Sequence, residues 1–493
     1  MAKQDHLFSL IKSLSRSEKR YFKLSTGLQG QQLNYLELFE TIEQMGSYDE
    51  DFLKQKFANR TFVHQLHVSK NYLFHLILKS LRSYQLNESA NAQLKARLLD
   101  IEILFKRDLL RPCLQAIRQA EKLAVKVGDE RSILEVLNWK RKVLLNMEGV
   151  DRDFPELSEI ASREKDYLNA LMDESKIWDL TLSIRDRNSP IKQLRENPLI
   201  ADPTRTRTHR AKILQHHLAY VTATMIDDPT EAEASLDQLI AYLEGDIFKL
   251  KNDPGPYVTA LNNKIGLYLN QRRHQLVFPL LRKIREIPER INLKARSLET
   301  MNLLIRSYNV ELETYRDSGK LSEALALIPK VEKLITVNED LISIEYKILI
   351  RYQFAYLFFM ARDFRKSLYN INQVLDHRSH ATRGDIMSYG QFLNLILHFE
   401  LGNYTVMKYS VDATRRFLKK RGGLLEFEKI LLRFFSQLCT RPQAQQQKLF
   451  KKCYLRLFGD PPLLNESQLD YLDFKYWFES KLSPAVLTNI NVG

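Results

Sequence analysis

Apolar residues recur at three- and four-residue spacings along almost the whole chain, as in Leu33, Leu36, Leu38, Phe39 and Ile42. That period puts them on one face of a helix. Alternating stretches bounded by turn residues, the mark of strands, are hard to find. Sixteen Gly and fifteen Pro make 31 of 493 residues, about half the roughly 12% that ordinary proteins carry. Hairpins and phosphate-cradling loops are correspondingly few, and the expected fold is all-α, in helices mostly one to two dozen residues long. Their punctuation is readable. Ser15-Arg-Ser-Glu18 and Asn465-Glu-Ser-Gln468 have the spacing of capping boxes, and Gly128, Gly245, Gly319, Gly402 and Gly459 stand where helices should stop.

One turn-and-helix pattern returns several times. GKLSEALALIPKVEKL from Gly319, RDFRKSLYNINQVLDH from Arg362 and GNYTVMKYSVDATRRF from Gly402 align without gaps. Each has an apolar third position (Leu321, Phe364, Tyr404), a mostly small or slim residue five after the start (Ala324, Ser367, Met407), and apolar or tolerant residues four and seven beyond that. The same template fits Cys113, Ile117 and Ala120, then Ala232, Leu236 and Leu239, then Val277, Leu281 and Ile284. A slim residue with larger ones at plus four and plus seven lets a helix lie close on the one before it. No copy is readable near Gly149 or Arg187.

With Gly402-Asn403-Tyr404 and Arg362-Asp363-Phe364 as its best matches, this stretch, roughly Leu94 to Phe417, resembles the tetratricopeptide-repeat family. The steps from Ala232 to Val277, Ala324, Ser367 and Met407 are 45, 47, 43 and 40 residues, longer than the roughly 34 of that family and nearer HEAT-like pairs. The resemblance implies a right-handed α-solenoid of antiparallel helix pairs over residues 87–440, acting as a non-enzymatic scaffold or adaptor for a protein or peptide. It also implies a concave face carrying Tyr352, Tyr356 and Phe359, then Tyr389, Phe392, Ile396 and Phe399, with Arg306, Asn309 and Arg316 as a polar, basic lip suited to an acidic peptide. Burial between neighbours explains the same aromatic residues, because ILIRYQFAYLFFM and SYGQFLNLILHF are apolar all round.

Residues 1–86 read as a helical cap or a helix-turn-helix, with His64, His67, Lys70 and Asn71 opening the would-be recognition helix and Asp49, Glu50 and Asp51 standing against phosphate. Residues 441–493 read as a second cap: Gln443, Gln445, Gln446 and Gln447, a break at Gly459-Asp-Pro-Pro462, then Tyr471, Phe474, Trp477 and Phe478.

The net charge of +14 favours acidic partners, nucleic acid, or an anionic membrane surface. From Lys408 to Arg456 thirteen Lys and Arg face only Asp412, Glu426 and Glu428. Within that stretch Arg415, Arg416, Lys419, Lys420, Lys451 and Lys452 form the candidate basic surface of a nucleic-acid-associated regulator, the alternative reading. Cations closing a helix C-terminus account for the run from Arg415 to Arg421 by itself. Catalytic signatures are absent: no glycine-rich loop follows a strand, and neither Gly-x-Ser-x-Gly nor His-Glu-x-x-His occurs. His216-His217 and His377 with His380 lack convergent ligands, so no metal or cofactor is expected. Cys113, Cys439 and Cys453 show no disulfide or zinc spacing, which suits a reducing compartment. The opening residues lack a continuous apolar core, and no uncharged run is longer than IMSYGQFLNLILHF, which is too short to span a bilayer. A cytoplasmic chain is expected.

Overall fold

A computed structural model describes residues 5–27, 33–46, 48–86, 89–147, 154–184, 191–202, 205–295, 297–376, 384–464, 466–469 and 471–482. Gly149, Arg187, His377, His380 and Asn465 lie outside them. Among the described residues every regular element is a helix, as the apolar spacing predicts, and within each unit many consecutive helices pack on one another. Side-chain caps start many of them. Ser15 and Glu18 form the reciprocal pair, Ser15 N–H donating to Glu18 at 2.8 Å and Glu18 N–H to Ser15 Oγ at 3.3 Å. Asp49, Ser89, Asp129, Thr208, Asp228, Ser297 and Ser343 each accept from a backbone N–H of the first turn.

The six copies of the turn-and-helix template share one backbone conformation. Their first residues, Asp108, Asp227, Arg272, Gly319, Arg362 and Gly402, all have a left-handed φ, between 57° and 72°. In five of them the next residue's N–H reaches back to a carbonyl five positions earlier: Leu109 to Leu104, Asp228 to Ala223, Lys320 to Tyr315, Asp363 to Phe358 and Asn403 to His398, at 2.8 to 3.0 Å. This is the bond that closes a helix with a left-handed residue. The slim residue five places on is fully buried in all six. Twice it carries a donor, and twice that donor finds the carbonyl twelve residues back in the preceding helix: Cys113 Sγ to Ile101 at 3.5 Å and Ser367 Oγ to Ala355 at 2.6 Å. Of the five predicted glycine stops, Gly128, Gly319 and Gly402 use the left-handed conformation. Gly245 and Gly459 end their helices at φ −69°.

The chain divides into two compact units, residues 1–270 with 287–293, and residues 271–286 with 294–493. The first holds an N-terminal cluster built on Phe22, Leu38, Phe39, Ile42, Leu73 and Ile77, and further clusters around Ile117 and Leu218. In the second, one core gathers Leu312, Ile328, Val331 and Phe354. The other, the larger, runs from Ile348 to Leu482 and contains Trp477, Phe474 and Phe478.

Candidate functional site

In the second unit the helices Ile344–Met360 and Gly384–Glu400 carry the aromatic face expected of a groove. The chain itself covers that face. Tyr352 donates its hydroxyl to the carbonyl of Tyr471 at 2.7 Å, and the Asp473 N–H donates to the hydroxyl of Tyr356 at 3.0 Å. The Tyr389 and Tyr471 rings stack 4.9 Å apart at 3°, and Phe392 meets Phe474 edge to face at 5.9 Å. Beyond them the helix Phe474–Lys481 drives Trp477 and Phe478 among Phe399, Phe434, Phe435 and Phe450. Glu400 ties both ends of this contact, accepting from Trp477 Nε1 at 2.6 Å and pairing with Lys481 at 2.7 Å.

Tyr352, Tyr356, Phe359 and Phe392 are consequently buried, and Tyr389 is half-buried. The expectation of an open aromatic floor is corrected here: the residues line a groove, but its occupant is the chain's own segment 471–482. Burial, against the pull of the Arg316 guanidinium, raises the Tyr356 hydroxyl to about 12, and burial raises Tyr352 as well. Both therefore stay protonated at neutral pH, as Tyr352 must to donate. The basic lip is reduced in the same way. Arg316 lies over the Tyr356 ring at 5.2 Å, is bound to Asp317 at 2.7 Å, and keeps only 8% of its side chain exposed. Asn309 is buried with its Oδ1 unpartnered, and Arg306 is left as the exposed member of the three.

The candidate basic surface separates into paired and unpaired members. Arg415 pairs with Asp412 at 2.9 Å. Arg421 bonds Ser388 and holds the buried carboxylate of Glu428 through two contacts of 2.9 and 3.1 Å, a structural role. Arg416, Lys419 and Lys420 on the helix Tyr404–Lys420, with Lys451 and Lys452 on Gln443–Phe458, are exposed and form no ion pair among the described residues. The dipole explanation suits Lys419 and Lys420 in the last turn. It does not reach Lys451 or Lys452, which sit in the middle of their helix.

In the first unit the helix Leu66–Gln85 follows Glu50–Lys56 through a turn, as a helix-turn-helix order requires. Lys70 is not offered to a ligand, however. Its ammonium contacts Asp5 at 2.7 Å, Glu50 at 3.1 Å and the Tyr48 hydroxyl. Burial opposes its charge, but these partners outweigh burial and raise its pKa. His64, His67 and Asn71 remain exposed.

A polar cleft of about 710 Å³ in the same unit had no counterpart in the sequence. Its walls include Glu130, Arg131, Trp178, His209, Arg210 and Lys249. The buried Glu174 carboxylate binds Arg131 at 2.8 Å and accepts from Thr208 at 3.2 Å; Glu130 accepts the His209 N–H at 3.2 Å. Burial raises Glu130 and lowers His209. Gly128 sits at a left-handed φ of 76°, where a Cβ would be strained and would press on Lys249 Cε at 3.2 Å. The residues come from segments more than 100 positions apart, so local spacing carried no signal of it. Arg131 and Arg210 both pair with Glu174, at 2.8 and 3.9 Å, and Lys249 pairs with Asp246 at 3.6 Å, so these three cations are already engaged.

Comparison with models of known protein families gives no match, and comparison with curated proteins gives none either. Among the described residues no group of three or more His, Cys, Asp or Glu is placed to hold a metal, and no helix is long and apolar enough to cross a membrane.

Proposed function

We propose that the chain is a non-enzymatic scaffold or adaptor that holds a protein partner in the cytoplasm. Its architecture on this reading is a right-handed α-solenoid of antiparallel helix pairs similar to tetratricopeptide repeats, spanning 87–440 with 1–86 and 441–493 as caps. The observation that carries it is the turn-and-helix unit repeated six times, each with a left-handed first residue and a fully buried slim residue five places on, the kind of array that presents a surface to a partner. The repeated left-handed turn supports the repeat architecture, and three free cysteines suit a reducing compartment. The non-enzymatic part rests on the sequence, which carries none of the catalytic motifs sought.

Capture of partners by the full chain from native lysate, with and without nuclease, tests this. A protein retained after nuclease treatment, and weakened by Arg306→Glu if it is acidic, is the expected result. If no protein is retained, or if everything captured is lost to nuclease, the scaffold reading fails. The alternative, a nucleic-acid-associated regulator, is then favoured by the unpaired cations of the 404–420 and 443–458 helices.

A further inference from the structure

The eighth position of the turn-and-helix template faces solvent in all six copies. The reason is helical geometry: it lies two residues, or about 200°, beyond the buried slim residue that rests on the preceding helix. Four copies place an ordinary surface or turn residue there: Gln115, Ala234, Pro279 and Ala326. The two consecutive copies starting at Arg362 and Gly402 place tyrosine instead. Tyr369 is 65% exposed and Tyr409 is 73% exposed, and neither ring packs against another ring among the described residues. Single exposed rings are ordinary on a protein surface; what sets these two apart is that they recur at one register of consecutive copies.

Their surroundings are cationic. On the helix Phe364–Asp376, Arg365 and Lys366 precede Tyr369 by one turn. On Tyr404–Lys420, Arg416 and Lys420 follow Tyr409 by seven and eleven residues, within about 20° of it around the helix axis. Arg365, Arg416 and Lys420 are exposed and make no ion pair among the described residues. Asp363 is engaged with Lys366 at 2.9 Å and Asp412 with Arg415 at 2.9 Å, while Asp376, seven residues after Tyr369, stands exposed at the far end of its helix. Ser367 rests on the 344–360 helix through the Ala355 carbonyl, and Tyr369, two residues on, turns away from that helix.

We propose that this face, with Tyr369 and Tyr409 as stacking platforms and Arg365, Arg416 and Lys420 as phosphate contacts, binds single-stranded nucleic acid. Unpaired bases present flat faces to the rings, and the backbone between them brings phosphates to the cations. An acidic protein segment would use the cations but has no need of two exposed rings. Duplex DNA keeps its bases stacked inside and offers the rings nothing. The inference does not depend on the scaffold reading, since this face shares no residue with the tyrosine-lined groove.

The test is fluorescence anisotropy with the full chain and labelled oligouridylate and oligothymidylate over a salt series, with duplex DNA and polyglutamate as competitors. Both labelled strands should bind, and affinity should fall steeply with salt. Tyr369→Ala and Tyr409→Ala should each weaken binding by about tenfold at every salt concentration, because stacking releases no counterions. Arg416→Gln with Lys420→Gln should instead flatten the logarithmic salt slope by about 1.4, roughly 0.7 for each phosphate lost. All four positions are exposed, and unchanged melting of the variants shows that folding is intact. Absence of binding at low salt overturns the proposal. So does binding that both tyrosine variants leave within about twofold of the parent, or that duplex DNA or polyglutamate displaces as well as unlabelled strand does.

Discussion

Arg362 occupies the position that glycine fills in the copies on either side of it, with φ 59° against 72° for Gly319 and Gly402. A side chain in the left-handed region costs roughly 1 to 2 kcal/mol, while glycine gives back part of this through unfolded-state entropy. Arg362→Gly should therefore raise stability by about 0.5 to 1 kcal/mol and Gly402→Ala lower it by about 1 kcal/mol, both read from chemical denaturation. Half-buried and buried histidines supply a second residue-scale effect. Burial lowers the pKa of His209, His216, His217 and His398. The unfolded chain then binds more protons than the folded one below about pH 6.5, so stability is fully present above that value and falls as the pH drops. His398 adds a buried Nδ1 without a partner. His398→Leu should remove its share of the acid sensitivity, visible as a smaller loss of melting temperature between neutral and mildly acidic buffer.

At the scale of elements, the covering helix Phe474–Lys481 is held by packing more than by polar bonds. Trp477→Ala deletes a buried ring surrounded by Phe399, Phe434, Phe435 and Phe450 and should cost about 3 to 5 kcal/mol. Tyr352→Phe leaves only the Tyr471 carbonyl without its donor and should cost about 1 kcal/mol. If Trp477→Ala and Tyr352→Phe destabilise equally, the segment is held by its backbone bonds instead. The template explains which parts of these elements were legible in sequence. Slim residues such as Cys113, Ala324 and Ser367 are buried because the left-handed turn five residues earlier brings their helix back onto its predecessor, and both signals lie within one short stretch. The cover over Tyr352 was not legible, because its partner is 119 residues away and nothing local to either helix distinguishes a ring facing a partner from one facing its own chain. Lys70 misled for a similar reason. Its acidic partner Asp5 is 65 residues distant, so it looked like a free cation opening a helix.

Across the whole molecule the three free cysteines report on the two units separately. Cys113 belongs to the first, Cys439 and Cys453 to the second. Burial raises the Cys453 thiol to about 12 and raises Cys113 as well, so neither presents thiolate at neutral pH in the folded chain. A thiol reagent should therefore label both only at the rate at which their units open, and the order of labelling in rising denaturant ranks the two units in stability. Fast labelling of Cys453 without denaturant would show that the largest core opens readily. That core also has an order of assembly imposed by synthesis. The 344–360 and 384–400 helices leave the ribosome before the segment that shields them, and at about 5 to 20 residues per second the 119 residues between Tyr352 and Tyr471 take roughly 6 to 24 s to make. For that interval a band of aromatic side chains stands bare on a growing polypeptide, so the nascent chain is a natural client for a chaperone, and translation speed past residue 360 becomes a determinant of its yield.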